Sequence, residues 1–198
     1  IRLKEGSTFD QIKKDLKENN FLFNDLQKLS KNEIKEKLNV RHQYLEGLFF
    51  PETYYFKKGD KYSDILIRAL KKQQEIMSSV WESRSMNLPF KTPYEALILA
   101  SIIEKEGAEK KAISGVFIRR LHKEMKLQSD PTVIYAIGIK FDGNIRRSHL
   151  MMDHPFNTYV NKGLPPSPIA LVSKSSLEAA VNPQNGMALY FVSKGDGT

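Results

Sequence analysis

Residues 92–107, TPYEALILASIIEKEG, decide how this chain is read. Thr92 is a helix N-cap, Pro93 stands at the first helical position where its missing N–H costs nothing, and Glu95 completes a capping box with Thr92. Residues 96–103 are apolar on nearly every face, which predicts a helix buried on all sides. Gly107 predicts a stop with a left-handed C-terminal residue. Glu104 and Glu106 sit just inside that stop. A helix C-terminus disfavours an ionised carboxylate, and partial burial raises its pKa in the same direction. A carboxylic acid still protonated near neutral pH suits a general acid. Two residues apart, the pair points to opposite sides of the helix, so at most one faces any given site. The plainer alternative is that both are solvated charges at a helix end.

Upstream, residues 1–4 alternate apolar and basic, as a half-buried strand does. Ser7 with Asp10, or Thr8 with Gln11, caps a helix carrying Phe9, Ile12 and Leu16. A second amphipathic stretch is predicted from Asn24 to about Leu38, with Ser30 and Asn32 as interruptions. LFFPETYYF, residues 48–56, reads as an aromatic strand that Pro51 bends or places at an edge, and residues 57–60 form a turn. Ser63 then opens a long helix. Downstream, Ile113, Val116, Phe117 and Leu121 mark another, with Arg119 and Arg120 read as solvated. Asp130 before Pro131 starts a short helix ended by Gly138. Residues 146–168 lack periodicity and hold aromatic and amide residues beside a stiff Pro-rich stretch, as an ordered binding loop does. A helix over residues 176–180, a buried strand over 188–192 (ALYFV) and a turn at 195–197 complete the chain. The expected class is α+β, with one unit over residues 1–58 and another over residues 59–198.

The 198 residues carry 31 Lys+Arg against 23 Asp+Glu, a formal net charge of +8, shared by both units rather than held in one arm. Such a surface favours nucleic acid, anionic lipid or an acidic polymer. With no cysteine, disulfides and thiolate metal sites are excluded. No apolar run is long enough to span a membrane. His149, Asp153 and His154 follow no metal-ligand spacing, and neither G-x-S-x-G nor a phosphate-cradling glycine loop is present. Acid–base chemistry with carboxylates, hydroxyls and amides remains. Glu106, Gln128, Asp130, Asn157 and Tyr159 are expected to line one cleft suited to a polar, uncharged substrate such as a sugar chain. For Asp130 an N-cap before Pro131 is an equal alternative.

The stretches LEGLFFPETY (45–54), LASIIEKEG (99–107), LQSDPTVIYAIG (127–138), FNTY (156–159), GLPPSPI (163–169), SLEAAVNP (176–183) and LYFV (189–192) fall in one register. In order and spacing the chain resembles the YceG-like, or MltG, endolytic lytic transglycosylases of bacteria. The resemblance implies a small LysM-like βααβ glycan-binding module over residues 1–58, then a mixed, mainly helical catalytic domain over 59–198. It implies cleavage of the β-1,4 bond between N-acetylmuramic acid and N-acetylglucosamine in nascent peptidoglycan, leaving 1,6-anhydro ends without a cofactor or metal. The family's catalytic Glu falls on Glu106. Glu104, Gln128, Asp130, Thr132, Asn157, Thr158, Tyr159, Leu164 and Pro165, all within the matching stretches, are expected to bind the substrate.

The expected partners are peptidoglycan glycan strands and cell-wall synthases, with no nucleic acid. The expected place is the periplasmic or outer face of the bacterial inner membrane, held by a single N-terminal helix that this chain lacks. A C-terminal segment with His and Phe is expected beyond Thr198. Lytic chemistry needs one acid/base, because the substrate's own 6-hydroxyl is the nucleophile, whereas most hydrolytic glycosidases need two facing carboxylates. The alternatives are a glycan-binding module in which Glu106 is structural, and a nucleic-acid binder. The second is disfavoured because the aromatics do not interleave with basic residues.

Overall fold

The computed structural model describes residues 1–107 and 109–191. Its centre is the helix α4, Pro93–Glu106. Thr92 Oγ1 accepts the Glu95 N–H at 3.3 Å, and the Glu95 carboxylate returns to the N–H groups of Lys91 and Thr92, both at 2.9 Å. Every residue from 96 to 103 is buried. The wall around it is built by α3 (Tyr62–Glu82), α5 (Lys110–His122), α6 (Asp130–Ile137) and α8 (Lys174–Val181). The short helices α1 (Phe9–Lys17), α2 (Lys31–Lys37) and α7 (Arg147–Leu150) and a 3-10 turn at Gly138–Lys140 complete the described elements. α4 ends at Gly107 with φ +156° and ψ −165°. That is an extended conformation open to glycine, not the left-handed helical one expected, and it takes the chain straight off the helix axis.

The α+β expectation, with its LysM-like βααβ module, does not hold: among the described residues there is no β-strand. Residues 1–3 and 52–54 do lie antiparallel, through Leu3 N to Glu52 O at 3.0 Å and Tyr54 N to Ile1 O at 2.7 Å, but they form one bridge, Arg2 with Thr53. Pro51 has no N–H to extend a ladder. On the other side the chain leaves at once, since the Gly6 N–H goes to Leu171 O at 2.9 Å and the Leu171 N–H to Ser7 O at 2.8 Å. The aromatic character of LFFPETYYF is therefore burial against helices. Phe49 and Tyr54 turn inward, and the Phe50 N–H bonds Ala69 O in α3 at 3.0 Å.

The strand expected at 188–192 is likewise absent: residues 188–191 are irregular and largely exposed, and Val192 and the turn at 195–197 lie outside the described residues. Among the described residues no neighbouring backbone pairs with this segment. Arg119 Nε takes Ala188 O and Arg120 Nε takes Leu189 O instead, both at 2.6 Å. The second helix is shorter than expected because Ser30 is its N-cap, in a capping box with Glu33, rather than an interruption.

One cluster of buried side chains runs from Leu3 to Val181, through both expected units. Gly47, at φ +72°, is where the front of the chain meets the Pro-rich loop: a Cβ there would lie 2.3 Å from Pro168 Cβ. The loop is also pinned to α4, because Ser101 Oγ accepts the Ile169 N–H at 2.9 Å. Beside Gly47, the buried Glu46 joins two helices. Its Oε1 accepts the Phe9 N–H of α1 at 2.7 Å, and its Oε2 accepts the Tyr135 hydroxyl of α6 at 3.0 Å. Ser101 thus fixes the Pro-rich loop against the C-terminal half of α4, and Glu46 ties α6 to the front of the chain.

Candidate active site

The two carboxylates at the end of α4 leave it on opposite sides. Glu104 turns to the N-terminus of α8. Its Oε2 accepts the Ser173 N–H at 2.9 Å, the Ser173 hydroxyl at 2.5 Å and the Ser176 hydroxyl at 2.6 Å, while Lys110 Nζ stands 3.2 Å from both oxygens. Burial pushes its pKa up. The donors and Lys110 outweigh that and leave it below the ordinary carboxylate range. Among the described residues Oε1 has Lys110 as its one partner, while Oε2 takes the serine donors. Glu104 couples α4 to α8.

Glu106 is half-buried and accepts one hydrogen bond among the described residues, from Ser129 Oγ to Oε1 at 2.5 Å. Burial raises its pKa; the Ser129 hydroxyl opposes that, and the nearby charge of Asp130 adds to it, for a net upward shift. The helix C-terminus acts in the same direction.

Ser129 is placed by a buried hydroxyl network. Thr132 Oγ1 donates to Ser129 O at 2.7 Å, so Thr158 Oγ1, 2.8 Å away, donates to Thr132 and accepts the Ser129 N–H at 3.0 Å. Each hydroxyl proton has one destination, which fixes the direction of the network. Gln128 precedes Ser129 at φ +52°, uncommon for a residue with a side chain. Its N–H bonds Thr158 O at 3.1 Å, and Arg120 Nη1 holds Leu127 O at 2.7 Å, so the turn is fastened on both sides.

The structure thus brings Glu106, Ser129, Asp130 and Tyr159 together, with exposed Gln128 beside them. Tyr159 donates to Asp130 Oδ1 at 2.5 Å. Burial raises the Tyr159 pKa, as do that hydrogen bond and the charges of Asp130 and Glu106, so it stays a donor. Asp130 is the first residue of α6, and its carboxylate serves Tyr159; the N-cap position belongs to Ser129.

The other expected residues lie elsewhere or act as scaffold. Asn157 is fully buried, and its amide donates to His149 O, Leu150 O and Met152 O at 3.2, 3.2 and 2.8 Å, while its Oδ1 accepts the Tyr159 N–H at 3.0 Å. It shapes the loop and aims Tyr159. Thr132 and Thr158 are buried within the hydroxyl network. Leu164 packs on the edge of the core and Pro165 is buried.

Two residues of this region were not foreseen. Ser129, a plain serine before a helix start, carries no sequence signal of its own; only its register against Glu106 reveals it. Arg120 was read as solvated, yet it is 6% exposed and lies 4.5 Å from the Tyr190 ring. Its neighbour Arg119 masks it in sequence.

Three kinds of likeness bear on this site. The sequence profile described as the YceG-like family matches residues 1–198. A protein of Bacillus subtilis (strain 168) named endolytic murein transglycosylase is 41% identical over 162 residues, 80% of this chain and 44% of its own length. A protein of the same name from Streptococcus pneumoniae serotype 2 (strain D39 / NCTC 7466) is 36% identical over 157 residues, 75% of this chain and 28% of its own. The chain therefore spans less than half the length of these curated relatives. The crystal structure of a yceG-like protein from Listeria monocytogenes superposes with a TM-score of 0.70 at 29% identity, covering 99% of this chain and 70% of that one. A family profile matched from end to end and relatives of this identity give one answer: the chain belongs to the YceG-like family.

Proposed function

We propose that this chain carries the catalytic part of an endolytic murein transglycosylase, with Glu106 as its single acid/base. The observation that carries the reading is the contrast at the end of α4: Glu106 has one hydroxyl partner and a raised pKa, while Glu104 meets three serine donors and Lys110 and has a lowered one. Protonated Glu106 gives its proton to the oxygen of the β-1,4 bond between N-acetylmuramic acid and N-acetylglucosamine. The C1–O bond breaks, and the 6-hydroxyl oxygen of the same muramic acid attacks C1. Its proton passes to the Glu106 carboxylate, which restores the acid. No water is consumed, and the attack is intramolecular. Ser129 holds Oε1, so that Oε2 is the oxygen that exchanges the proton. Tyr159 holds the Asp130 side chain in a fixed orientation near Glu106.

The names of the Bacillus and Streptococcus relatives support murein as substrate. Residues 59–198 form the catalytic domain in this reading. The reaction takes place outside the cytoplasm, on nascent strands beside cell-wall synthases, in a protein anchored in the inner membrane by one helix. Mass spectrometry of muropeptides after digestion of purified murein tests it. The expected product ends in anhydro-N-acetylmuramic acid, lighter than a hydrolytic end by one water. Heavy oxygen from labelled water in the new ends would overturn the transglycosylase assignment and make Asp130 the candidate that activates water.

A further inference from the structure

Away from Glu106, the turn at residues 21–23 presents two phenylalanines to solvent. Phe21 is 61% exposed and Phe23 60%, while Leu22 between them is 7% exposed. The alternation comes from an extended segment lying along residues 59–62: Gly59 N bonds Phe21 O at 2.9 Å, Phe23 N bonds Asp60 O at 2.8 Å, and Tyr62 N bonds Phe23 O at 3.1 Å. Phe23 and Lys61 form a parallel bridge, so their side chains leave the same face, while Leu22 and Tyr62 turn into the core. Lys57, Lys58 and Lys61 are exposed on the same turn, and none is in an ion pair among the described residues. Two acids share this rim, Asp64 exposed and Asp60 half-buried. Asp60 accepts the Lys57 N–H at 2.8 Å, Asp64 accepts the Lys61 N–H at 3.0 Å, and Asp25 is bound to Ser63 and Lys37. The three lysines outnumber Asp60 and Asp64, so the corner is an apolar tip with a net basic rim.

We infer that this corner docks on an anionic membrane surface, with the Phe21 and Phe23 rings entering the interface and Lys57, Lys58 and Lys61 meeting lipid headgroups. Charge decides the occupant. Two rings are too small an apolar area for a stable protein interface, which takes roughly 800 Å² a side. Shallow burial of a few apolar groups joined to electrostatic attraction is, in contrast, how peripheral proteins hold anionic bilayers. The chain's net charge of +8 acts in the same direction. Nothing in this inference depends on the chemistry at Glu106.

The test is co-sedimentation of the 198-residue chain with vesicles of phosphatidylcholine alone and of phosphatidylcholine mixed equally with phosphatidylglycerol. The chain is expected to partition onto the mixed vesicles only. Phe21→Ser with Phe23→Ser is expected to weaken partition about tenfold or more at unchanged charge. Lys57→Ala and Lys58→Ala are expected to weaken it about fivefold each. All four side chains are exposed, so the thermal melts of the variants should match the parent. Absence of partition by the parent overturns the inference. Equal partition of the parent and the double serine variant also overturns it, leaving plain attraction by net charge. Retention by purified murein that depends on the same phenylalanines, without vesicle binding, gives the corner to a glycan.

Discussion

Glu104 and Glu106 leave one helix two residues apart and enter opposite surroundings. On the α8 side three hydroxyl and amide donors and a lysine converge on Glu104, and a carboxylate that burial would neutralise stays ionised. On the α6 side one hydroxyl reaches Glu106, the neighbouring charge is another carboxylate, and the acid form is favoured. Between these two carboxyl groups, the donors and the sign of the nearest charge decide the direction of the shift. Burial alone does not distinguish the two, since it pushes both upward.

The largest effect that tests this contrast is on turnover. Glu106→Gln keeps the shape and removes the proton, and should reduce cleavage by about 10²–10⁴-fold while the protein stays as stable as before. Release of anhydro-muropeptides from purified murein, beside a thermal melt, reads both quantities. Equal losses of turnover from Glu104→Gln and Glu106→Gln in folded proteins would break the contrast.

A third carboxylate sharpens it. Glu46 has two partners, the Phe9 N–H and the Tyr135 hydroxyl, yet it is buried deeply enough to be pushed from 4.5 to about 7, with the charge of Asp10 adding to the shift. A pKa raised in the folded state means that the folded protein binds more protons between those two values. Stability then falls as pH rises through that window, by about 3 kcal/mol in all. Urea unfolding at a series of pH values should show this slope, and Glu46→Gln should flatten it. A slope unchanged in the variant would mean that Glu46 titrates normally.

Glu104 predicts the opposite sign with a smaller size. Its folded pKa is depressed, so its stabilisation is present above the unfolded value and is lost as pH falls through the folded one. Glu104→Gln replaces charged hydrogen bonds with neutral ones and should cost about 2 kcal/mol at neutral pH. The gap between variant and parent should close in acid. A constant gap across pH would show that packing, not ionisation, is lost.

Part of this was legible in the sequence. The cap at Thr92, the buried body of α4 and, of the two caps open at α1, the one at Thr8 follow from local chemistry: a side-chain oxygen three residues before its donor needs no tertiary information. The strands failed for the complementary reason. Alternation in residues 1–4 and the aromatics of 48–56 record burial, but a strand also needs a sustained partner backbone; here the two segments share one bridge, Phe50 turns to α3, and the chain after residue 4 turns to residue 171. The site divides in the same way. That Glu104 and Glu106 oppose each other is helix geometry, whereas the choice between them rested on resemblance, because Ser173, Ser176 and Ser129 arrive from distant parts of the chain. Asn157 misled for a related reason: an amide in an aperiodic loop looks available, yet three backbone carbonyls of the loop claim it.

The finest test is Ser129→Ala. The Ser129 hydroxyl donates to Oε1 and so favours the ionised form of Glu106, the one influence at this carboxyl that lowers its pKa. Removing it leaves burial and the charge of Asp130 unopposed, and the pKa rises further. If the acid form starts the reaction, the alkaline limb of the kcat/KM profile moves to higher pH, by less than about one unit for a single hydrogen bond. The rate on the plateau should fall as well, because the carboxyl loses the contact that orients it. Substitution by threonine keeps the hydroxyl and should return the limb toward its original position. A limb that moves to lower pH would mean that Ser129 stabilises the protonated acid instead, with its hydroxyl accepting rather than donating. A limb that stays in place while only the plateau falls would reduce Ser129 to a positioning residue, with burial and Asp130 together setting the acid.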